Sequence, residues 1–187
     1  MQIKILDLII RKEFFIFIFI LILTITGLGT MTGCSHNQET LTWVEVISDI
    51  RNSYPDVKQI QTAELQLWLT NPDNEPVVLI DARRKEEFSV SHITEAKNIP
   101  YNSKDYLKHF TDIKPNSPIV VYCSVGYRSS IMVEKLQGMG FTKAYNLEGS
   151  IFKWANEGRP LVQGQATVHK VHPYNAHWGS LLKKKYH

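Results

Sequence analysis

The chain has 187 residues, enough for one domain with a core of ordinary size, so a two-domain architecture is disfavoured. Apolar residues make up 43% of the sequence and charged residues 21%, close to the average for a globular protein, which excludes a mainly disordered chain. The formal net charge of +3 is too small to indicate a nucleic-acid partner.

The N-terminus has the layout of a bacterial export signal. Basic residues precede an apolar run from Phe14 to Leu28, and small residues lead up to Cys34. The run is shorter than the roughly 20 residues of a transmembrane helix, although extending it back to Leu8 blurs this distinction. The sequence therefore predicts a signal or anchor at residues 1–33 and a short polar linker at 34–40.

The tetrapeptide Met31-Thr32-Gly33-Cys34 resembles the lipobox of bacterial lipoproteins, although Met31 stands where leucine is usual. This resemblance implies cleavage before Cys34 and attachment of lipid to its thiol. An uncleaved membrane anchor and a cytoplasmic protein are the alternatives. Either membrane-bound form would place the domain in the cell envelope, outside the cytoplasm. With Cys34 lipidated, Cys123 would be the one remaining cysteine, which excludes a disulfide within the chain.

Apolar periodicity and turn residues predict alternating strands and helices after the linker. Two short apolar runs are typical of strands buried on both faces of a parallel sheet, which predicts the α/β fold class. Thr62 is predicted to cap the second helix. The predicted strands are 57–60, 77–80, 96–99, 119–122 and 143–147, and the predicted helices are 41–52, 63–69, 85–89, 104–109, 129–138 and 150–157.

The segment 163–187 differs in composition from the preceding domain, which is predicted to span 41–162. It carries four histidines and a run of three lysines, and is therefore expected to form a solvated extension outside the core. Tyr174 and Trp178 have helical spacing and are expected to pack against the domain. The histidines match no compact metal-ligand pattern, so no metal site is predicted.

The chemically distinctive segment is the loop from Cys123 to Ser129, which joins a buried strand to a helix. A loop this short must curl, which turns its backbone N–H groups inward, and Gly126 permits the tight path. These donors favour a thiolate, so Cys123 is expected to have a lowered pKa and to be nucleophilic. Arg128 can bind an oxyanion, and Ser129 or Ser130 can cap the helix. The alternative is an inert core cysteine with Arg128 on a solvated face.

Five motifs occur in order along the globular part of the chain: Val78 to Arg83, Glu86 to Ile93, Ala96 to Pro100, Cys123 to Ser129, and Leu147 to Pro160. Together they resemble the rhodanese family of sulfurtransferases. Ser91, Glu95 and Ser150 stand at positions that this family often fills with glycine. Ser91 and Glu95 are expected in a tolerant surface turn, whereas Ser150 is expected to stiffen the active face.

The resemblance implies a single rhodanese-like domain with a central, mainly parallel sheet of about five strands and helices on both faces. It also implies that the Cys123 thiolate attacks the outer sulfur of a donor such as thiosulfate and carries that sulfur as a persulfide. An external thiol or cyanide then accepts the sulfur, and no cofactor is required. Asp81 and His92 are assigned to the scaffold. The implied substrate-binding residues are Arg83, Ser124, Val125, Gly126, Tyr127, Arg128 and Ser129.

Two other functions remain open on the sequence alone. Phosphatases and arsenate reductases of related fold also use a cysteine-to-arginine loop, but generally with one residue more than the four between Cys123 and Arg128. The shorter loop predicts a smaller cradle, which suits sulfur better than phosphate. The other alternative is a non-catalytic binding or sensing module on the cell envelope.

Overall fold

The computed structural model describes residues 41–187. The predicted signal or anchor, Cys34 and the linker lie outside these residues. Among residues 41–187, no helix is both long enough and apolar enough to cross a membrane.

Five strands form the central sheet: β1 Gln59–Ile60, β2 Val78–Asp81, β3 Lys97–Asn98, β4 Ile119–Tyr122 and β5 Ala144–Leu147. They pair in parallel in the order β1-β5-β4-β2-β3. Every segment predicted as a strand contributes to this sheet, and the predicted α/β class is confirmed. The carboxyl ends of the strands share one edge, and loops that follow neighbouring strands meet there.

The helices alternate with these strands: α1 Trp43–Ser53, α2 Thr62–Thr70, α3 Lys85–Val90, α4 Tyr127–Gly138, α5 Ser150–Asn156 and α6 Ala176–Gly179, with 3₁₀-helices at Tyr106–His109 and Lys184–Tyr186. A short antiparallel hairpin, β6 Leu161–Gln163 and β7 Ala166–Val168, follows α5. The predicted cap at Thr62 is wrong, because Gln61 occupies the N-cap position. The Thr62 hydroxyl instead donates a hydrogen bond to Glu157.

The four buried residues of β4 show how helices cover both faces of the sheet. Val120 and Tyr122 belong to one core cluster, with buried residues of α1, α2 and α5. Ile119 and Val121 belong to the other, with buried residues of α4. Because both faces are covered, the strand is apolar throughout, as the sequence predicts.

The C-terminal segment 163–187 packs into the first of these clusters. Val171, Leu181, Leu182 and Tyr186 are buried there, and the backbone N–H of Val171 donates to the carbonyl of Tyr186 over 2.7 Å. The expectation that this segment lies outside the core is therefore wrong. Its apolar residues are scattered among histidines and lysines, so its composition as a whole concealed their contribution.

Candidate active site

The loop that carries Cys123 begins directly after β4 and ends where α4 starts at Tyr127. Gly126 has a φ of 131°, which residues with a side chain rarely adopt. A Cβ at this position would lie 2.8 Å from the side chain of Ile50 in α1. Gly126 thus provides both the unusual backbone conformation and the close approach to α1, and the loop follows the tight path that the sequence predicts.

The Cys123 thiol is buried and surrounded by groups that stabilise its charged form. The backbone N–H of Gly126 donates to Sγ over 3.2 Å. Burial alone would raise the pKa of Cys123, but the positive charge of Arg128 and hydrogen bonds from Ser129 and Gly126 outweigh it, so the pKa is lowered. The arrangement therefore favours a nucleophilic thiolate.

Arg128 is held by a buried carboxylate that lies on α3. Its two terminal nitrogens donate to the two oxygens of Glu87 over 2.7 and 2.8 Å, and Nη2 also donates to Ser124 Oγ over 2.9 Å. Ser124 in turn donates to Glu87 over 3.2 Å. This network fixes the guanidinium beside the loop in a bidentate geometry.

The pKa values of the pair reflect this contact. Burial by itself raises the pKa of Glu87, but the hydrogen bonds and charge of Arg128 lower it below its ordinary value. Burial by itself lowers the pKa of Arg128, but hydrogen bonding to Glu87 and the charge of Cys123 raise it. Both groups are therefore charged at neutral pH, and the negative charge of Glu87 balances much of the positive charge of Arg128.

Glu87 is not among the site residues that the sequence predicts, although it lies within one of the motifs. Glu87 is 41 positions from Arg128 in the chain, and no local pattern links the two. The pairing follows from the parallel order of β2 and β4, which are neighbours and bring the segments after them together.

The serines at the start of α4 do not cap it, so the predicted capping role is wrong. Gly126 occupies the N-cap position, and no side chain caps the helix there. The hydroxyls of Ser129 and Ser130 point back and donate to the Gly126 carbonyl over 3.1 and 2.8 Å. Ser129 also helps to lower the pKa of the Cys123 thiol.

Arg83 is not placed as a substrate-binding residue. Its side chain is fully buried, pairs with Asp81 over 2.6 Å and donates to the Ser91 carbonyl over 2.6 Å. It therefore stabilises the turn after β2, and the expectation that it binds substrate is corrected. Asp81 belongs to the scaffold, as predicted, and so does His92, whose Nδ1 lies 3.1 Å from the Phe88 carbonyl oxygen.

The residues at the positions where the family often has glycine fall into two classes. Glu95 and Ser150 have φ values of 65° and 51°, in the left-handed region. Ser91 has an extended backbone and is fully buried, which corrects its expected place in a surface turn. The backbone freedom of glycine is thus relevant at Glu95 and Ser150 and not at Ser91.

Ser150 supports the Cys123 loop from β5 and α5. Its Oγ accepts from the backbone N–H of Cys123 over 3.0 Å and donates to the Leu147 carbonyl over 3.1 Å. The backbone N–H of Ile151 also donates to the Cys123 carbonyl over 3.2 Å. These contacts agree with the expectation that Ser150 stiffens the active face.

A pocket of about 290 Å³ opens over the cysteine loop. Its lining comes from the loop and α4 on one side and from the C-terminal segment on the other: Cys123, Ser124, Val125, Tyr127 and Arg128, with Tyr174 and Trp178. The predicted residues Gly126 and Ser129 are not part of this lining. They act on the site by lowering the pKa of Cys123. The sequence predicted that the two aromatic residues pack on the domain, but not that they border the site.

The fold and the site define a parallel α/β domain with a cysteine of lowered pKa in the loop after its central strand. A sequence model described as "Rhodanese-like domain" matches residues 63–157, just over half of the chain. The chain therefore belongs to the rhodanese-like domain family, and the predicted fold is confirmed.

The chain is 35% identical over 79 residues to the uncharacterised protein YqhL of Bacillus subtilis, covering 42% of this chain and 61% of YqhL. It is 31% identical over 106 residues to a protein of Allochromatium vinosum named sulfurtransferase, covering 57% of this chain and 95% of that protein. Among solved structures, it resembles a thiosulfate sulfurtransferase of Pseudomonas aeruginosa with a TM-score of 0.55 and 21% identity, covering 66% of this chain and 23% of that one. This last likeness concerns the fold alone.

Proposed function

We propose that the protein is a sulfurtransferase that carries sulfur as a persulfide on Cys123. The observation that carries the proposal is the environment of the Cys123 sulfur, which borders an open pocket and has a lowered pKa. A thiolate at the edge of a pocket is the arrangement that nucleophilic attack on a small substrate requires. The relative from Allochromatium vinosum that is named sulfurtransferase supports the same chemistry.

The proposed reaction has two balanced steps. The Cys123 thiolate attacks the outer sulfur of thiosulfate, so that a bond forms between the two sulfurs while the donor's own sulfur–sulfur bond breaks. The electron pair of the broken bond leaves with sulfite. In the second step, an external thiol or cyanide attacks the terminal sulfur and restores the thiolate. Inward-facing amides such as that of Gly126 stabilise the negative charge in both states.

Turnover is tested by supplying the purified chain with cyanide and, in turn, thiosulfate, polysulfide and mercaptopyruvate, and by measuring thiocyanate. We expect thiocyanate to form faster than in the absence of protein with at least one donor, and no faster than in the absence of protein with Cys123→Ser. Hydrolysis of an aryl phosphate without thiocyanate formation would instead favour a phosphatase. Inactivity with all of these substrates would favour a non-catalytic binding or sensing module.

We also propose that the domain is tethered to a membrane through lipid on Cys34 and works in the bacterial cell envelope, outside the cytoplasm. The support for this is the sequence Met31-Thr32-Gly33-Cys34 after an apolar run. Cells grown with labelled palmitate are expected to label the wild-type chain and not Cys34→Ser. Wild-type protein that carries no label but fractionates with the membrane would point to an uncleaved anchor. Wild-type protein in the soluble fraction would contradict both forms of tethering.

A further inference from the structure

The C-terminal segment contributes an aromatic wall to the pocket, defined here as Tyr174 and Trp178. The family match ends at residue 157, so this wall comes from a part of the chain beyond it. The centre of the Tyr174 ring lies 4.7 Å from the guanidinium carbon of Arg128. The centre of the Trp178 ring lies 5.5 Å from the centre of the Tyr127 ring. The wall therefore faces the residues that surround the reacting sulfur.

The segment that carries the wall is fixed to the domain. Within the segment, the backbone N–H of Tyr174 donates to His172 Nδ1 over 3.0 Å and that of Trp178 donates to Asn175 Oδ1 over 3.0 Å, and these bonds order the turns around the two rings. Further along, Asn156 of α5 donates to the Leu181 carbonyl over 2.7 Å. With its buried leucines, the segment has the contacts of an integral part of the structure, so the rings are held in place before a substrate binds.

The positive charge in the pocket is largely satisfied from within the protein. Both terminal nitrogens of Arg128 are engaged by Glu87, and one face of its guanidinium is covered by Tyr174. A small dianion such as thiosulfate would have to compete with the Glu87 carboxylate for these donors. The charge of Arg128 alone is therefore a weakened basis for recognising an anionic donor.

The rest of the lining suits an organic group. Val125, Tyr127, Tyr174 and Trp178 offer apolar or aromatic surface, and Tyr174 is 37% exposed where it borders the pocket. The volume of about 290 Å³ is near the lower bound of about 300 Å³ for pockets that bind drug-sized molecules. Flat rings gain from stacking on such a surface in addition to the area they bury.

We infer that Tyr174 and Trp178 are specificity-determining residues that select a sulfur donor with an apolar organic group on the sulfur that leaves, such as an organic thiosulfonate. This inference rests on the proposed sulfurtransferase function. The Cys123 thiolate attacks the terminal sulfur of the thiosulfonate, the donor's sulfur–sulfur bond breaks, and the electron pair leaves with the organic sulfinate. The persulfide that forms is the same as with thiosulfate, and no other oxidant or reductant is needed.

The test compares two donors with the same reacting group and charge, benzenethiosulfonate and methanethiosulfonate, on the full-length chain purified in detergent. The ratio of their kcat/KM values is expected to favour the benzene compound in the wild type. It is expected to fall about tenfold in Tyr174→Ala and in Trp178→Ala. Tyr174→Phe keeps the ring and is expected to keep the ratio.

Trp68→Ala is the matched control, because Trp68 is a half-buried aromatic residue that packs on Tyr145 and does not line this pocket. The ratio of the two kcat/KM values in Trp68→Ala is expected to equal the ratio in the wild type. An active enzyme whose ratio is the same in all variants would overturn the inference and leave the proposed function intact.

Binding of benzenesulfinate, the leaving group, tests the wall without any reaction at Cys123. Calorimetry is expected to give a Kd about tenfold weaker for Tyr174→Ala than for wild type or Trp68→Ala. Equal Kd values would overturn the inference even in a protein without turnover. If no donor is turned over but the Kd values differ as expected, the proposed function is contradicted. The aromatic wall then remains a binding site.

Discussion

Cys123 lies among groups that act on its charge in opposite directions. Burial disfavours the thiolate, whereas Arg128, Ser129 and the Gly126 amide favour it and outweigh the burial. The balance therefore depends on a few side chains that can be changed one at a time. Ser129 is the most informative of them, because its neighbour Ser130 makes the same contact with the Gly126 carbonyl.

Replacing Ser129 with alanine is expected to raise the pKa of Cys123, because Ser129 is one of the groups that lower it. The dependence of alkylation by iodoacetamide on pH would then move to higher pH, and the rate at neutral pH would fall roughly threefold to tenfold. Ser130→Ala loses only the bond to the Gly126 carbonyl. An equal shift in both variants would show that the Ser129 hydroxyl has no specific effect on Cys123.

The Glu87–Arg128 pair predicts a stability that depends on pH. Because the pKa of Glu87 is lowered in the folded state, its contribution is present above the pKa of the unfolded chain and is lost as the pH falls through the folded value. Glu87→Gln is expected to lower the free energy of unfolding by about 2 kcal/mol at neutral pH. Urea titrations at several pH values are expected to show this difference narrowing in acid. A constant difference would contradict the ionic role.

At this scale, the sequence predicted residues whose role is local and failed where a role depends on distant contacts. Cys123, Gly126 and Arg128 lie within six consecutive residues, and their arrangement follows from the length of the loop before α4 and from its glycine. Glu87 could not be connected to Arg128 without knowing which strands are neighbours. Arg83 was misassigned because the sequence does not show that its partner Asp81 is buried with it.

At the scale of elements, the turn from β5 into α5 supports the cysteine loop through Ser150. Ser150 has a left-handed backbone and makes two hydrogen bonds, one of them with the Cys123 amide. Ser150→Ala loses both bonds and keeps the unfavourable conformation, so it is expected to lower the free energy of unfolding by about 1–3 kcal/mol.

Ser150→Gly provides the matched comparison. It loses the same bonds but relieves the backbone, and is expected to be more stable than Ser150→Ala by about 1 kcal/mol. Thermal or urea unfolding of the two variants measures this difference. Alanine as stable as glycine would contradict the positive φ at this position.

The sequence predicted β2 and β4 because their apolar runs are continuous, as burial on both faces requires. The hairpin of β6 and β7 was missed because its strands have only three residues each, too few for an apolar pattern to be recognised. The segment 104–109 was predicted as a helix and forms a 3₁₀-helix at Tyr106–His109. Short elements are stabilised by their tertiary contacts, which the local pattern does not contain.

At the scale of the whole molecule, the C-terminal segment is part of the domain. Leu182 is 4% exposed and lies in the core cluster on the α1, α2 and α5 face of the sheet. Leu182→Ala is expected to lower the free energy of unfolding by about 2–5 kcal/mol. Leu67→Ala, at a leucine that is 67% exposed, is expected to change it by less than about 0.5 kcal/mol. Equal effects would show that the segment does not contribute to the core.

The proposed activity requires that Cys123 accepts sulfur from a donor and gives it up to an acceptor. Its most direct test is the intact mass of the protein after incubation with a sulfane-sulfur donor and removal of the excess. Wild type and Cys34→Ser are expected to gain the mass of one sulfur on Cys123 and to lose it on addition of cyanide, whereas Cys123→Ser gains none. The absence of this adduct with thiosulfate, polysulfide and organic thiosulfonates alike, or an equal adduct on Cys123→Ser, would contradict the account.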